Sequence, residues 1–201
     1  MIIRRIIDNK EIVKVVSIHE NAFPGFFLTT LGFHFLKIYY RSVLKHKDGI
    51  LLGCFSENNK LYGFCAATKI SKNFNKKIVK ENIMQFTLIS LRLLFSKPTS
   101  LIRLKNNFTK KNSVVIDNVE YAELLSIAVS VKNQRRGIGE KLLLQLENEL
   151  KYEACKNLSL TTDYFNNEKT IDFYKKIGYN VLYDFVSYPE RRMYRMIKNL
   201  E

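Results

Sequence analysis

The clearest pattern in this sequence is IAVSVKNQRRGIGEKLL, which runs from Ile127 to Leu143. It predicts a strand that passes through a basic, glycine-containing turn directly into a helix. Gly137 and Gly139 let the backbone come close to a ligand, because they carry no Cβ. The first amides of a helix lack intrahelical partners and lie at the positive end of its dipole. The segment therefore predicts an anion site lined by successive amides, suited to a pyrophosphate.

Strands and helices alternate on both sides of this turn. Apolar patterning predicts the order β α α β β, a helical insertion, and then β α β α β β. The predicted strands are 2–7, 49–55, 61–70, 121–130, 158–162, 180–188 and 191–197, and the predicted helices are 8–19, 29–44, 137–152 and 167–176. The insertion covers about Ser71 to Ser113 and has a helical pattern from Ile78 to Phe95. Such an alternation implies a mixed sheet covered by helices, in the α/β (α+β) class.

The composition is that of a globular domain. The chain has 201 residues, of which 46% are hydrophobic and 26% charged, with three prolines and eight glycines. These values exclude disordered and collagen-like classes. The most apolar run, Ile83 to Phe95, is interrupted by Arg92 and is too short to cross a bilayer. No secretory pattern follows Arg4 and Arg5, so we expect one cytoplasmic domain covering residues 1–201.

Basic charge is concentrated in one segment. The net charge is +14, and twelve Lys or Arg residues against Glu81 alone supply +11 of it between Asn58 and Ile116. Such a segment attracts phosphates, acidic substrates, anionic lipid or nucleic acid, and a solvated basic surface explains it equally well. It lacks recognition-helix and interleaved aromatic patterns, so no nucleic-acid partner is expected.

The cysteines and histidines do not suggest a metal site. Cys54, Cys65 and Cys155 form no CxxC pair, and their odd number does not suggest a disulfide framework. The three histidines share no metal-ligand spacing. No metal is therefore expected.

A second distinctive block lies downstream of the glycine turn. It reads NEKTIDFYKKIGY, from Asn167 to Tyr179. This block is similar to N-x-x-A-I-x-x-Y-x-x-x-G-F, with Thr170 in place of Ala and Tyr179 in place of Phe. The earlier QRRGIG is similar to Q/R-x-x-G-x-G/A. In this order, the two blocks resemble the GNAT superfamily of acetyl-CoA-dependent N-acetyltransferases.

The resemblance implies a fold and a co-substrate. The fold is a mixed, mostly antiparallel, twisted sheet with splayed central strands, flanked by helices, and the insertion precedes its fourth strand. Acetyl-CoA is the implied co-substrate, with no metal. Its pantetheine arm would contact Asn167 and the main chain of Ile127, Ala128 and Val129. Its pyrophosphate would bind the amides of Arg135, Arg136, Gly137, Ile138, Gly139 and Glu140.

Direct acetyl transfer requires a deprotonated amine, a stabilised oxyanion and a protonated leaving thiolate. Tyr174 is the candidate general acid, because a phenol stays protonated at neutral pH and this one shares a helix face with Asn167. The alternative is a core aromatic. Glu123 is the candidate base, since it is the one carboxylate in an apolar strand and matches the glutamate of histone-acetylating family members. Its alternative is a surface residue at a strand end, with water accepting the proton.

A covalent acetyl-cysteine intermediate is the rival mechanism. It would require an exposed cysteine with a basic partner, and neither Cys65 nor Cys155 has one nearby in the sequence. Direct transfer is therefore preferred.

The sequence thus predicts an N-acetyltransferase that acts on a primary amine of a small acceptor. The aromatic segment 21–36 is similar to family members of bacterial surface-sugar pathways, which suggests an amino sugar or a nucleotide-linked amino sugar. Phe26, Phe27 and His34 are the candidate pocket residues, although core packing is the favoured alternative for the two phenylalanines. The alternative is a non-catalytic acyl-CoA-binding or interaction module on the same fold.

Three roles of the insertion are open: a lid over the acceptor, a homodimer surface, or a membrane-surface contact. A lid or a dimer element is favoured. If the insertion binds a phosphorylated acceptor, reversing Lys110 and Lys111 to Glu should raise the acceptor KM more than the acetyl-CoA KM.

Overall fold

The computed structural model describes residues 1–96, 120–187 and 190–201, with backbone alone for 93–96. The C-terminal part of the insertion, including Lys110 and Lys111, lies outside these ranges. The strands are β1 (Ile2–Arg5), β2 (Gly49–Phe55), β3 (Leu61–Thr68), β4 (Ala122–Val129), β5 (Asn157–Asp163), β6 (Asn180–Ser187) and β7 (Arg191–Asn199).

These seven strands form one sheet in the order β1-β2-β3-β4-β5-β7-β6. Every neighbouring pair is antiparallel except β4 and β5, which are parallel. The expected mixed, mostly antiparallel sheet is therefore confirmed. The helices are α1 (Asn9–Ala22), α2 (Phe27–Thr30), α3 (Phe33–Lys45), α4 (Phe74–Glu81), α5 (Ile83–Ser96), α6 (Ile138–Tyr152) and α7 (Glu168–Lys176).

Two helix boundaries differ from the sequence prediction. The helix predicted to start at Thr29 begins at Phe33, because Gly32 with φ +84° separates it from the short α2. The single insertion helix predicted from Ile78 is two helices. Asn82 ends the first one, where its backbone N–H and its side-chain amide both donate to the Ile78 carbonyl, at 3.2 and 2.9 Å.

Each face of the sheet is covered by its own apolar core. On one face, α1 and α3 pack against alternate strand residues such as Leu51 and Phe64. On the other face, α6 packs against their neighbours, such as Leu52 and Cys65. All seven residues of β2 are buried, as expected for a strand covered on both faces.

The sheet splits between its two parallel strands. Pairing of β4 with β5 is confined to Ala122, Glu123 and Leu124, and β4 continues to Val129 without it. On its other edge β4 remains paired with β3, with Leu125 as an extra bulged residue between the partners of Ala66 and Ala67. The expected splay of the central strands is thus present.

None of the helices within the described ranges is both long enough and apolar enough to cross a membrane.

Candidate active site

A cleft of about 810 Å³ opens where β4 and β5 separate. Since the gap passes through the sheet, helices from both faces line it. The α6–α7 wall consists of Gln134, Gly139, Asn167, Lys169, Thr170, Phe173 and Tyr174. The α1–α2 wall consists of His19, Ala22, Phe23, Phe26, Phe27 and Leu28. The splayed strands supply the sides between the two walls, including Ile127, Ala128 and Val129.

The turn that leads into α6 presents a run of unused amides. Within the described residues, the six amides from Arg135 to Glu140 donate no hydrogen bond, and the first helical bond runs from Lys141 N to the Gly137 carbonyl at 3.0 Å. Arg135 and Gly137 are left-handed, with φ +61° and +71°. Left-handed residues in such turns create concavities of N–H groups that bind anions. This geometry fits the predicted pyrophosphate contacts.

Asn167 ties the start of α7 to the end of β5. Its Nδ2 donates to Thr162 Oγ1 at 2.6 Å and to the Asp163 carbonyl at 3.0 Å. Both amide protons are therefore used inside the protein, and Oδ1 is left for a ligand. Asn167 lines the cleft, so it can contact a cofactor as an acceptor.

Tyr174 is buried at the inner end of the α6–α7 wall. Its side chain is 7% exposed, and its ring contacts those of Phe173 and Tyr179 at centroid distances of 5.3 and 5.7 Å. The hydroxyl makes no hydrogen bond to any described residue. Burial is the main cause that raises the pKa of this phenol to about 12. The group is therefore protonated at neutral pH and free to donate into the cleft.

Glu123 lies outside the cleft lining. Its Oε1 accepts from Arg195 Nη1 at 2.6 Å, and the two side chains are 20% and 15% exposed. The carboxylate belongs to the α1–α3 face of the sheet, because its strand neighbours Ala122 and Leu124 lie in the core on the α6 face and side chains alternate along a strand. The sequence prediction identified this carboxylate but missed its partner, which is 72 residues away in β7.

The cysteines are not among the residues that line the cleft. Cys54 and Cys65 are buried and Cys155 is half-buried, and none of them lines it. Burial raises the pKa of all three thiols. In the described part of the chain, no group of three or more His, Cys, Asp or Glu side chains could hold a metal ion.

His19 is a cleft residue that the sequence analysis missed. Its Nδ1 lies 2.7 Å from the Tyr40 hydroxyl, which in turn lies 2.9 Å from Ser126 Oγ. Burial lowers the pKa of His19 to about 4, so the ring is neutral at pH 7. Its Nε2 is buried and has no hydrogen-bond partner in the described structure. The available signal was a histidine on the apolar face of α1, in helical register with Ile12 and Val16.

The candidate pocket residues are only partly brought together. Phe26 and Phe27 line the cleft, and His34 does not. A second unforeseen feature lies beside Phe26: the Arg191 guanidinium is 4.5 Å from the ring centroid and bonds both carboxylate oxygens of Asp163.

Comparison with known proteins supports the family resemblance found in the sequence. Residues 12–179 match the model of the acetyltransferase (GNAT) family. The fold is similar to that of the ribosomal-protein-S18-alanine N-acetyltransferase from Escherichia coli, at 16% identity and a TM-score of 0.60, over 100% of this chain and 94% of that one. It is also similar to an aminoglycoside 6′-N-acetyltransferase complexed with coenzyme A, at 13% identity and a TM-score of 0.63, over 100% and 98%.

A third similar structure is Naa20 from Chaetomium thermophilum in complex with a bisubstrate analogue, at 15% identity and a TM-score of 0.58, over 99% and 86%. No curated protein sequence matches this chain significantly. The family match covers most of the chain and includes both sequence blocks that flank the cleft. The chain therefore belongs to the GNAT family, as an acyltransferase whose co-substrate is acetyl-CoA.

Proposed function

We propose that this enzyme transfers an acetyl group from acetyl-CoA directly to a primary amine of a small acceptor. The observation that carries the proposal is the Tyr174 hydroxyl, which is buried, protonated and unbonded among the described residues. It lies in the same cleft as Gly139, which belongs to the run of free amides at the start of α6. An acid and an anion site in one cleft are what transfer from a thioester requires.

The proposed cofactor contacts follow the splayed strand and the turn. The amides of Arg135, Arg136, Gly137, Ile138, Gly139 and Glu140 hold the pyrophosphate. The pantetheine arm lies along the unpaired edge of β4 at Ile127, Ala128 and Val129, with Asn167 Oδ1 as a further acceptor. This arrangement is supported by the open backbone of β4 beyond Leu124 and by the two bonds that fix Asn167.

The proposed chemistry is a single displacement. The neutral amine attacks the thioester carbonyl carbon, the C–N bond forms, and the carbonyl oxygen carries the developing negative charge. The C–S bond then breaks, and the sulfur accepts a hydrogen bond and finally the proton from Tyr174, which is reprotonated from solvent. Because its pKa is about 12, Tyr174 holds this proton over the whole range in which the enzyme would work.

The amine's proton has two candidate receivers, Glu123 and water in the cleft. Glu123 lies on the α1–α3 face of β4, and Arg195 occupies its Oε1. The proton would therefore pass to Oε2. Water is favoured by the position of Glu123 outside the cleft lining. The substitution Glu123→Gln separates the two receivers.

The acceptor suggested by the sequence is an amino sugar or a nucleotide-linked amino sugar. Its support is the segment 21–36, of which Phe26 and Phe27 line the cleft. A screen of amines for the release of free coenzyme thiol tests this acceptor class. It also separates a catalyst from a protein that only binds acyl-CoA, since only a catalyst releases thiol in proportion to added amine.

Calorimetric titration with acetyl-CoA tests the cofactor site. We expect micromolar affinity for the wild type and a loss of roughly a hundredfold or more in Gly137→Asp, because the new carboxylate would repel the pyrophosphate. Gly25→Asp is the matched control: Gly25 and Gly137 have φ +79° and +71°, and an added Cβ meets nothing within 4 Å at either. Both variants carry similar backbone strain of about 1–2 kcal/mol. Equal loss in both variants, or no wild-type binding, would contradict the proposal.

A further inference from the structure

We propose that the acceptor is a primary amine carried on an apolar, ring-sized group, which binds against the α1–α2 wall. This inference rests on the proposed acetyl transfer and names its substrate class. It differs from the amino sugar that the sequence suggested.

The side chains of this wall are apolar and partly exposed. Phe23, Phe26, Phe27 and Leu28 line it, and each remains partly exposed within the cleft. Phe26 is 39% exposed. Partly exposed rings gain by covering an apolar ligand, because the area is removed from water and ring pairs add edge or stacking contacts. These side chains contribute no hydrogen-bonding atoms for the hydroxyl groups of a sugar.

Charge in the described part of the cleft disfavours an acceptor with a second ammonium group. Among the described lining residues, Asp163 alone carries a carboxylate, and Arg191 bonds both of its oxygens. No carboxylate of these residues is therefore free to pair with a second ammonium group. Lys169 adds positive charge to the same cleft, whereas the charge of Arg191 is offset by Asp163. A polyamine would meet repulsion there, whereas a monoamine can enter in the neutral form that attacks the thioester.

The one ionisable side chain of this wall is uncharged and shielded. His19 Nδ1 lies 2.7 Å from the Tyr40 hydroxyl, which Ser126 holds in turn. Burial lowers the pKa of His19 to about 4, so the ring is neutral at pH 7. Its Nε2 is buried and makes no hydrogen bond to any described residue. The wall therefore presents a ligand with a mainly apolar surface.

The wall is also held in place before a ligand arrives. Arg191 lies over the Phe26 ring while its guanidinium is fixed by Asp163. His19 and Phe23 pack with a centroid distance of 4.9 Å, and Phe23 and Phe26 pack at 5.3 Å. A preorganised apolar surface binds a rigid apolar group with little ordering cost.

Three bisubstrate conjugates test the acceptor class without requiring turnover. Each joins the coenzyme A sulfur through an acetyl linker to the nitrogen of 2-phenylethylamine, glucosamine or kanamycin. Calorimetry compares each conjugate with coenzyme A alone, so the difference reports the acceptor half of the cleft. We expect the phenylethyl conjugate to bind at least about tenfold more tightly than either of the others, equivalent to about 1.4 kcal/mol. A glucosamine or kanamycin conjugate that binds equally well or better would overturn the proposal.

A pair of variants locates the effect. Phe26→Ser should remove most of the phenylethyl advantage and leave the affinity for coenzyme A unchanged. Tyr152→Ser is the control, because Tyr152 is 93% exposed at the end of α6 and does not line the cleft. It should leave all affinities unchanged. An equal effect of Phe26→Ser on all ligands would overturn the assignment to this wall.

The same titrations separate the two levels of inference. If coenzyme A binds and the three conjugates bind alike, the acceptor class is wrong while the proposed transfer stands. If coenzyme A itself does not bind, the proposed transfer fails and the acceptor class fails with it.

Discussion

The two walls of the cleft are built in different ways. The α6–α7 wall offers backbone amides from one continuous turn and side chains from one short helix. The α1–α2 wall is a surface of rings and one neutral histidine, which bonds Tyr40 of α3 and, through it, is linked to Ser126 of β4. A backbone site can keep one ligand across many sequences, whereas a side-chain surface changes with each substitution. In the proposed function, the shared cofactor and the particular acceptor are recognised by helices on opposite faces of one sheet.

The largest expected effect comes from the Tyr174 hydroxyl, and it tests whether catalysis belongs to the α6–α7 wall. Tyr174→Phe should lower kcat by about 10²–10³-fold, because a positioned acid is lost, and leave the acetyl-CoA Kd unchanged. In the wild type, Tyr174 should cause no loss of rate up to pH 10, since its pKa is about 12. Rates of thiol release and calorimetry measure these quantities.

Tyr179→Phe is the matched control for that substitution. Its hydroxyl donates to Glu147 at 3.2 Å on the same face of the sheet, away from the cleft lining. We expect a loss of about 1 kcal/mol of stability with unchanged kcat. An unchanged kcat in Tyr174→Phe would show that Tyr174 is not the general acid. Catalysis could then not be assigned to the α6–α7 wall.

The second effect concerns His19 and tests whether the α1–α2 wall contains a neutral imidazole. Its pKa is lowered by burial from 6.5 to about 4, so the unfolded chain takes up a proton at a higher pH than the folded protein does. Stability from this group is complete above pH 6.5 and is lost as the pH falls toward 4, by at most about 3 kcal/mol. Denaturant titrations at several pH values measure the slope.

His19→Gln should remove this part of the pH dependence. The difference in stability between the variant and the wild type should be constant above pH 7.5 and should shrink as the pH falls to 4. A difference that does not change with pH would show that folding does not lower the pKa of His19. The ring would then take up a proton near pH 6.5 in the folded protein as well, and the wall would not keep it neutral.

The smallest effect concerns Glu123, and it tests whether catalysis extends beyond the α6–α7 wall. Glu123→Gln should cost about 2 kcal/mol, because Arg195 is left without its charged partner in a largely buried site. We expect kcat to fall less than tenfold, since water is the favoured receiver of the amine's proton. Thermal unfolding and initial rates measure both quantities.

Asp184→Asn provides the comparison for Glu123→Gln. Asp184 also pairs with an arginine of β7, Arg192, but both side chains are more than 40% exposed. Its loss should cost less than about 0.5 kcal/mol. If Glu123→Gln instead lowers kcat a hundredfold with intact acetyl-CoA affinity, Glu123 is the general base.

The sequence predicted the α6–α7 wall because it consists of two continuous blocks. In the first, a strand, a glycine turn and a helix follow one another from Ile127 to Glu140, and α7 with its flanking residues forms the second, so local pattern is enough to recognise both. The α1–α2 wall could not be predicted in this way. His19, Tyr40 and Ser126 lie on three elements and meet only after the sheet and both helices have packed.

The same reason explains the missed partners and boundaries. In the sequence, Glu123 has no visible partner, because Arg195 is 72 residues away in the chain. The break at Gly32 was missed because apolar periodicity continues across it, and only its positive φ marks the boundary. The end of α4 at Asn82 was missed because the Asn82 side chain bonds the Ile78 carbonyl, and apolar periodicity gives no sign of such a bond.

The short pairing between β4 and β5 has a consequence for the behaviour of the protein among other chains. Beyond Leu124, β4 presents an edge in the middle of the sheet, and edges of this kind accept any extended backbone, including a strand of another molecule. Here the open stretch is only five residues long, from Leu125 to Val129, and helices stand on both sides of it. Five residues can form only a few backbone hydrogen bonds with an added strand. The shortness of this edge therefore limits how strongly a strand of another molecule could pair with it.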